Sequence, residues 1–234
     1  MEFIRKVWGS VWVFALYVVC VIVSLVSFIL LVSDPTFIGD APVPRIQMLL
    51  YCWVAIILFH LGMIIRLGFK RRVPLYMELY YIFIVLSHFV LGSTLRLFDQ
   101  GWHFDKILHT ASGAVVAGIG ITLALAKTKG LKRGHMLLFA FCFSMMVAVM
   151  WEFAEFGIDA IFGTNMQRWQ DDPYQTVFGT PMGSGLIDTM MDMITHAIGA
   201  LVVVVGYVIY KKRQEKKLLP ISQDVELPVV DDPE

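Results

Sequence analysis

Six long apolar stretches divide the chain, at about 11–32, 46–65, 75–95, 107–126, 136–156 and 186–210, with polar and charged segments between them. A helix rises about 1.5 Å per residue, so about 20 apolar residues cross the roughly 30 Å hydrocarbon core of a bilayer. The pattern predicts an all-α polytopic membrane bundle of six transmembrane helices, with residues 1–217 as one domain. Arg5 and Lys6 precede the first stretch, as they would in a signal peptide. The apolar run is longer than a usual signal core and no small-x-small site follows it, so an uncleaved helix is expected. Residues 218–234 hold Pro220, Pro228 and Pro233 and an acidic end without apolar period, the pattern of a disordered tail.

Composition strengthens this picture. The chain is 58% hydrophobic and 16% charged, with a mean hydropathy of +0.71. A soluble domain is about 45–50% apolar and about 25% charged, so the surplus apolar surface suits contact with membrane lipids. The formal net charge is zero, which provides no basic field for a nucleic acid. Charge is nevertheless segregated. Fifteen of the 19 Lys and Arg fall in four places: Arg5 and Lys6; Arg66 and 70–72; Lys127, Lys129, Lys132 and Arg133; and five cations from Lys211 to Lys217. The positive-inside rule then puts both termini in the cytoplasm, and an even number of spans satisfies the alternation.

The other, external half is acidic. Asp99, Asp105, Glu152, Glu155, Asp159, Asp171, Asp172, Asp188 and Asp192 stand there against Arg96, Lys106 and Arg168, with His103, His109 and His196 nearby. An Asp at the centre of a membrane helix costs roughly 2.5–3.5 kcal/mol on the insertion scale, so such residues face a cavity, a partner or an ion. Their spacing is helical. Asp105 and His109 are i and i+4, and Ser112, Gly113 and Gly120 continue their face with small residues. Glu152, Glu155 and Asp159 are i, i+3 and i+7; Asp188, Asp192 and His196 are i, i+4 and i+8, with Thr195 and Gly199 beside them. Three polar stripes turned toward one another suit a divalent metal in a bundle core, with His109, Glu155, Asp192 and His196 as candidate ligands. Glu152 and Asp188 are the candidate general bases of a metal-assisted hydrolysis or transfer, and Asp105, Lys106, Gln167 and Arg168 the candidate substrate contacts. The same stripes also read as hydrogen-bonded glue between helices, or as a path for protons.

The segment 157–185 holds several glycines, Asn165, Pro173 and Pro181, which argue against a continuous helix. Its Trp169, Tyr174 and Phe178 suit a lid or an interface anchor. His60 and His88, alone in the second and third spans, read as hydrogen-bonded packing residues, and Glu78 as a residue suited to a helix N-terminus. Cys20, Cys52 and Cys142 lie in apolar runs without CxxC spacing and read as buried thiols.

The motif Asp105-Lys106-x-x-His109-x-x-x-Gly113 is followed by Trp151-Glu152-x-x-Glu155-x-x-x-Asp159 and Gly163-Thr164-Asn165-x-Gln167. Asp188-Thr189-x-x-Asp192-x-x-x-His196-x-x-Gly199-Ala200 completes it. This pattern resembles the YjdF-type bacterial membrane proteins and, more distantly, the VanZ-like superfamily. The resemblance covers about residues 100–200 and implies a bacterial inner-membrane protein of about six spans, with a role near the cell envelope. It leads one to expect Asn where this chain has His196, a change that either strengthens a metal site or swaps one hydrogen-bonding group for another. The leading expectation is a membrane protein that binds or processes a lipid-linked envelope ligand at an external acidic and histidine-bearing cavity. The alternatives are a proton- or cation-coupled transporter or flippase, which the lack of an inverted repeat disfavours, and a non-catalytic scaffold.

Overall fold

The computed structural model describes residues 2–34, 36–37, 45–68, 74–98, 103–127 and 130–218. The tail expected beyond Leu218, the loop cations at 70–72 and Lys129, and Asp99 lie outside the described residues. A short helix α1 (Glu2–Trp8) leads into α2 (Val11–Ser33). Then come α3 (Arg45–Phe59), α4 (Leu61–Gly68) and α5 (Leu75–Val85). A π-helix, Leu86–Thr94, continues α5. The chain ends in α6 (His103–Lys127), α7 (Arg133–Phe162) and α8 (Ser184–Leu218), and a two-residue hairpin, β1 (Thr176–Val177) with β2 (Thr180–Pro181), lies between α7 and α8. With α3 and α4 as one span and α5 with its π-helix as another, six helices are long and apolar enough to cross a membrane.

Burial is inverted relative to a soluble protein. Ile22, Ile57, Phe153, Phe156 and Val202 are exposed, while Glu152, Glu155, Asp159, Asp188 and Asp192 are buried. That is the arrangement expected where the surroundings are lipid and water is confined to the bundle interior. Cys20 and Cys52 are buried, but Cys142 is exposed, a departure from the sequence expectation. An apolar run in such a bundle has a lipid face as well as a packed face, and Cys142 lies on the former.

The spans form two groups. Trp8, Val13, Cys20, Phe59, Ile82 and Val90 make one core among α1–α5 and the π-helix. Arg66 closes the end of this group. Its Nη1 donates to the Val7 carbonyl at 3.1 Å, and its Nη2 pairs with Glu78. Glu78, expected simply to suit a helix start, is thus the buried partner that ties α5 to α4 and, through Arg66, to α1. The chain breaks between α3 and α4 at His60, whose Nδ1 lies 2.7 Å from the Ile56 carbonyl and whose Nε2 lies 2.8 Å from the Tyr17 hydroxyl. A carbonyl only accepts, so Nδ1 carries the hydrogen and Nε2 accepts from Tyr17.

The second group is α6, α7 and α8, with α6 packed most extensively on α8. Ile121, Ala124, Met136, Leu137 and Ala140 form its core at one end, with Val204 and Tyr207 of α8 against it. Two glycines let the backbones touch. A Cβ on Gly113 would run into the His196 carbonyl, and one on Gly199 into the Thr110 carbonyl. α7 runs to Phe162, six residues past the expected end, because Gly157 meets open space and does not break it. Gly163 ends it in the left-handed conformation, φ 66°, with its N–H on the Asp159 carbonyl at 2.9 Å.

Gly113→Ala and Gly199→Ala should each lower stability by about 1–3 kcal/mol through overpacking against backbone. Gly118, with nothing near the position of an added Cβ, is the control. Thermal unfolding in mild detergent should show a lowered midpoint for the first two and an unchanged one for Gly118→Ala.

Candidate functional site

At the end of the bundle where α6 and α8 begin, Lys106 points from α6 toward α8. Its Nζ lies 2.7 Å from Asp188 Oδ1, 2.8 Å from Asp192 Oδ1 and 3.0 Å from Asp105 Oδ2. Lys106 is 6% exposed and Asp192 1%, so this is a buried cluster with one cation at its centre. Asp188 and Asp192 meet the same ammonium because they are one helical turn apart on one face of α8. Arg168 adds a second positive charge, its Nε 3.6 Å from Asp188 Oδ1. His109 Nε2 is 3.5 Å from Asp192 Oδ1 and 3.6 Å from Asp105 Oδ1, beyond ordinary hydrogen-bond length.

The four expected metal ligands do not all converge. Among the described residues, His109 and Asp192 share a cluster with Asp105, with one donor atom of each within 4.8 Å of the others. His196, one turn beyond Asp192, is about 6 Å further along the axis. Its Nε2 lies 2.9 Å from Ser144 Oγ, and that hydroxyl donates to the Gly113 carbonyl at 3.1 Å. The hydroxyl hydrogen is thereby used, so the imidazole donates to the serine. His196 therefore acts as a hydrogen-bonding group between α8 and α7. Glu155 is also apart from the cluster: its Oε1 accepts from the Trp151 indole at 2.7 Å.

The remaining carboxylates organise the loop after α7. Asp159 Oδ1 accepts from the Met166 N–H at 2.8 Å and from the Thr164 hydroxyl, and Oδ2 accepts from the Gln167 N–H at 2.9 Å. With its backbone so held, Gln167 donates through Nε2 to Glu152 Oε2 at 3.2 Å and to Thr189 Oγ1 at 3.0 Å. Arg168 points the other way, its Nη2 donating to the Phe98 carbonyl at 2.9 Å. The loop is thus a wall, with Gln167 and Trp169 on one side and Met166 and Arg168 on the other.

Each side of that wall faces a space. One is a cavity of about 360 Å³, lined by Tyr51, His88, Arg96, Asp105, Glu155 and Arg168 among others. The other is a groove of about 790 Å³ between α7 and α8, walled by Phe153, Phe156, Leu186 and Met193, with Glu152, Gln167 and Thr189 as its polar part. Phe153, Phe156 and Leu186 are exposed on the lipid-facing surface, so the groove opens sideways.

Three residues of the cavity come from parts of the chain where the sequence pattern indicates only packing. Gln47 and Tyr51 reach it from α3, and His88 from the π-helix. His88 stands edge-on to Trp151, ring centroids 4.9 Å apart, so it lines the site as well as packing there. The wider π-helical turn, often found at functional positions, re-aims His88, Gly92 and Ser93 along this wall. Arg96 and Arg168 are two of the three non-glycine residues with positive φ among the described residues, at 62° and 52°. That conformation costs about 1–2 kcal/mol for an L residue, and strain of this kind concentrates at ligand clamps.

Residues 12–213 match the family described as "Predicted membrane protein (DUF2238)", and the chain belongs to that family. A Thermotoga maritima protein described as an uncharacterized protein is 27% identical over 131 residues, which is 55% of this chain. The match spans 59% of that relative's length. No solved structure matches.

Removing one partner of a buried ion pair costs about 3–5 kcal/mol, because the other charges are left uncompensated. Lys106→Met should show a loss of this order in thermal or denaturant unfolding, and Lys106→Met/Asp192→Asn should regain part of it. Unchanged stability in the single variant would mean that the ammonium does not hold α6 to α8.

Proposed function

We propose that the protein binds a membrane amphiphile, with its polar head in the cavity and its apolar chain in the groove. The observation that carries this reading is the pairing of a polar cavity with a laterally open apolar groove on two sides of one wall. A soluble ligand would have no use for the second space, and a plain lipid chain none for the first. Arg168 and Asp105 are the head-group contacts on the cavity side, and Gln167 faces the groove. Lys106 supports the site from behind by fixing Asp105 and Asp188. The clustered cations of the opposite loops favour an orientation with the cavity on the external side and both termini in the cytoplasm. That side of a bacterial inner membrane suits a lipid-linked envelope ligand.

Native mass spectrometry of protein extracted in mild detergent tests this reading. The wild type should retain about one amphiphile per chain. Ser93→Trp, which fills the cavity, and Met193→Trp, which fills the groove, should each lose it while keeping the wild-type unfolding midpoint. Absence of any amphiphile from the wild type, or equal retention by both folded variants, would overturn it.

A second reading adds a divalent ion at Asp105, His109 and Asp192. Donor atoms around an ion with bonds of about 2.1 Å lie about 3.4 Å apart in a tetrahedron, close to the His109 separations from the two carboxylates. Such an ion would make the site hydrolytic or group-transferring by polarising the bound head. It would compete with Lys106 for Asp192 Oδ1. Asp188, held by the same lysine, would then be a positioning residue, and Glu152 lies on the groove side of the wall. Elemental analysis of protein prepared in metal-replete, chelator-free buffer decides it. A near-stoichiometric transition metal that is lost in His109→Ala supports the ion; a metal-free wild type sinks it.

A further inference from the structure

We infer that the head bound in the cavity is an uncharged sugar ring, recognised through its hydroxyl groups. This rests on the reading of the cavity as a head-group site and assigns the chemistry of the head. The charged groups on the cavity wall are already engaged within the protein. Arg168 donates to the Phe98 carbonyl at 2.9 Å and lies 3.6 Å from Asp188 Oδ1, and Arg96 is engaged as well. Asp105 accepts from the Lys106 ammonium at 3.0 Å, and Asp171 Oδ1 from the Asn165 amide at 2.7 Å. A charged head would compete with these bonds, whereas a hydroxyl can share Asp105 and Arg168 without displacing their partners.

The hydrogen-bonding capacity still open on the wall is of both kinds. The Tyr51 hydroxyl accepts from the Gln47 amide, so its own hydrogen is left to donate, and Gln47 Oε1 is left to accept. The His88 ring packs edge-on against Trp151 and Phe98, and its nitrogens make no hydrogen bond among the described residues. One of them donates and the other accepts in the neutral ring. Glu155 is 5% exposed; its Oε1 accepts from the Trp151 indole, and Oε2 has no partner among the described residues. A phosphate only accepts and would leave Gln47 Oε1 without a hydrogen; an ammonium only donates and would leave the Tyr51 hydrogen without an acceptor. A hydroxyl does both. The Tyr51 and Phe98 rings on the same cavity suit the C–H face of a sugar. At about 360 Å³ the cavity is at the small end of ligand pockets, about 300–1,000 Å³, which suits a single ring. Such a ring has two sources, the head of a glycolipid or a soluble sugar.

Binding to the full chain, measured in a detergent without a sugar head, tests this. The probes are monoglucosyl- and monogalactosyl-diacylglycerol, phosphatidic acid, phosphatidylethanolamine and diacylglycerol with the same acyl chains, and soluble methyl glucoside and methyl galactoside. At least one glycolipid should bind about tenfold more tightly than diacylglycerol and than either phospholipid. Gln47→Leu and Tyr51→Phe should each cut the margin over diacylglycerol by about three- to tenfold, the worth of one neutral hydrogen bond, and leave diacylglycerol binding unchanged. Glu155→Gln, which keeps an oxygen and gains N–H donors, should retain the margin. Its loss there, with an unchanged unfolding midpoint, would mean that the site reads charge and would overturn the inference. So would a phospholipid that binds as tightly as the glycolipids. Competition by the methyl glycosides assigns the ring to the soluble source, and its absence assigns it to the lipid. If diacylglycerol binds as well as the glycolipids, the sugar assignment fails while the amphiphile reading stands; if no amphiphile binds, both fail. Unfolding midpoints of the three variants separate a lost contact from a lost fold, and the comparison of probes on the wild type decides the matter without them.

Discussion

Three carboxylates surround the Lys106 ammonium between α6 and α8, and in a bilayer this cluster constrains the helices more than its pairwise attractions suggest. Turning α8 by one residue swings Asp188 and Asp192 about 100° away and leaves buried charges without partners, which hydrocarbon does not tolerate. The register of the two helices is therefore set at one end by charge. Further along the same contact, Gly113 beneath His196 and Gly199 beneath Thr110 allow the backbones to close up. Electrostatics selects the register, and the small residues let dispersion contacts fill it.

That fixed pair is the platform for the rest of the site. Asp188 on α8 also reaches Arg168, while Asp159 on α7 holds the backbone of Met166 and Gln167. The loop between these two helices is pinned from both sides and becomes a partition. Gln167 lies in a turn and Arg168 has a left-handed backbone, φ 52°, so the two side chains diverge and serve different spaces although they are neighbours. The π-helix completes the enclosure from the other half of the bundle by bringing His88 against Trp151. The cavity thus depends on both helix groups, and the groove on α7, α8 and the loop.

Much of this was legible in the sequence because membranes impose strong periodic constraints. The six spans follow from apolar length, and the stripes of Asp105, Glu152, Glu155, Asp188 and Asp192 from helical spacing; all five are buried or half-buried. Distance between stripes is not encoded by spacing within them, so the sequence could not tell that His196 would meet Ser144 or that Glu155 would meet Trp151. The role of Lys106 was hidden for a related reason. One of three cations in an acidic half, it reads in the sequence as a candidate substrate contact, and only the fold shows that it lies between Asp188 and Asp192. The π-helix has no composition of its own, which is why His88 reads as a packing residue. The lipid exposure of Cys142 is equally invisible, since apolar sequence does not say which side faces lipid.

The central claim is that the space in front of the Lys106 cluster belongs to the head of an amphiphile whose chain lies along α7 and α8. The most direct measurement is a high-resolution cryo-EM map of the protein in nanodiscs of bacterial lipid extract. The account predicts density for a compact head group beside Asp105 and Arg168, continuous past the loop wall with a chain beside Phe153 and Leu186. A cavity holding only ordered water, with no chain in the groove, would contradict it.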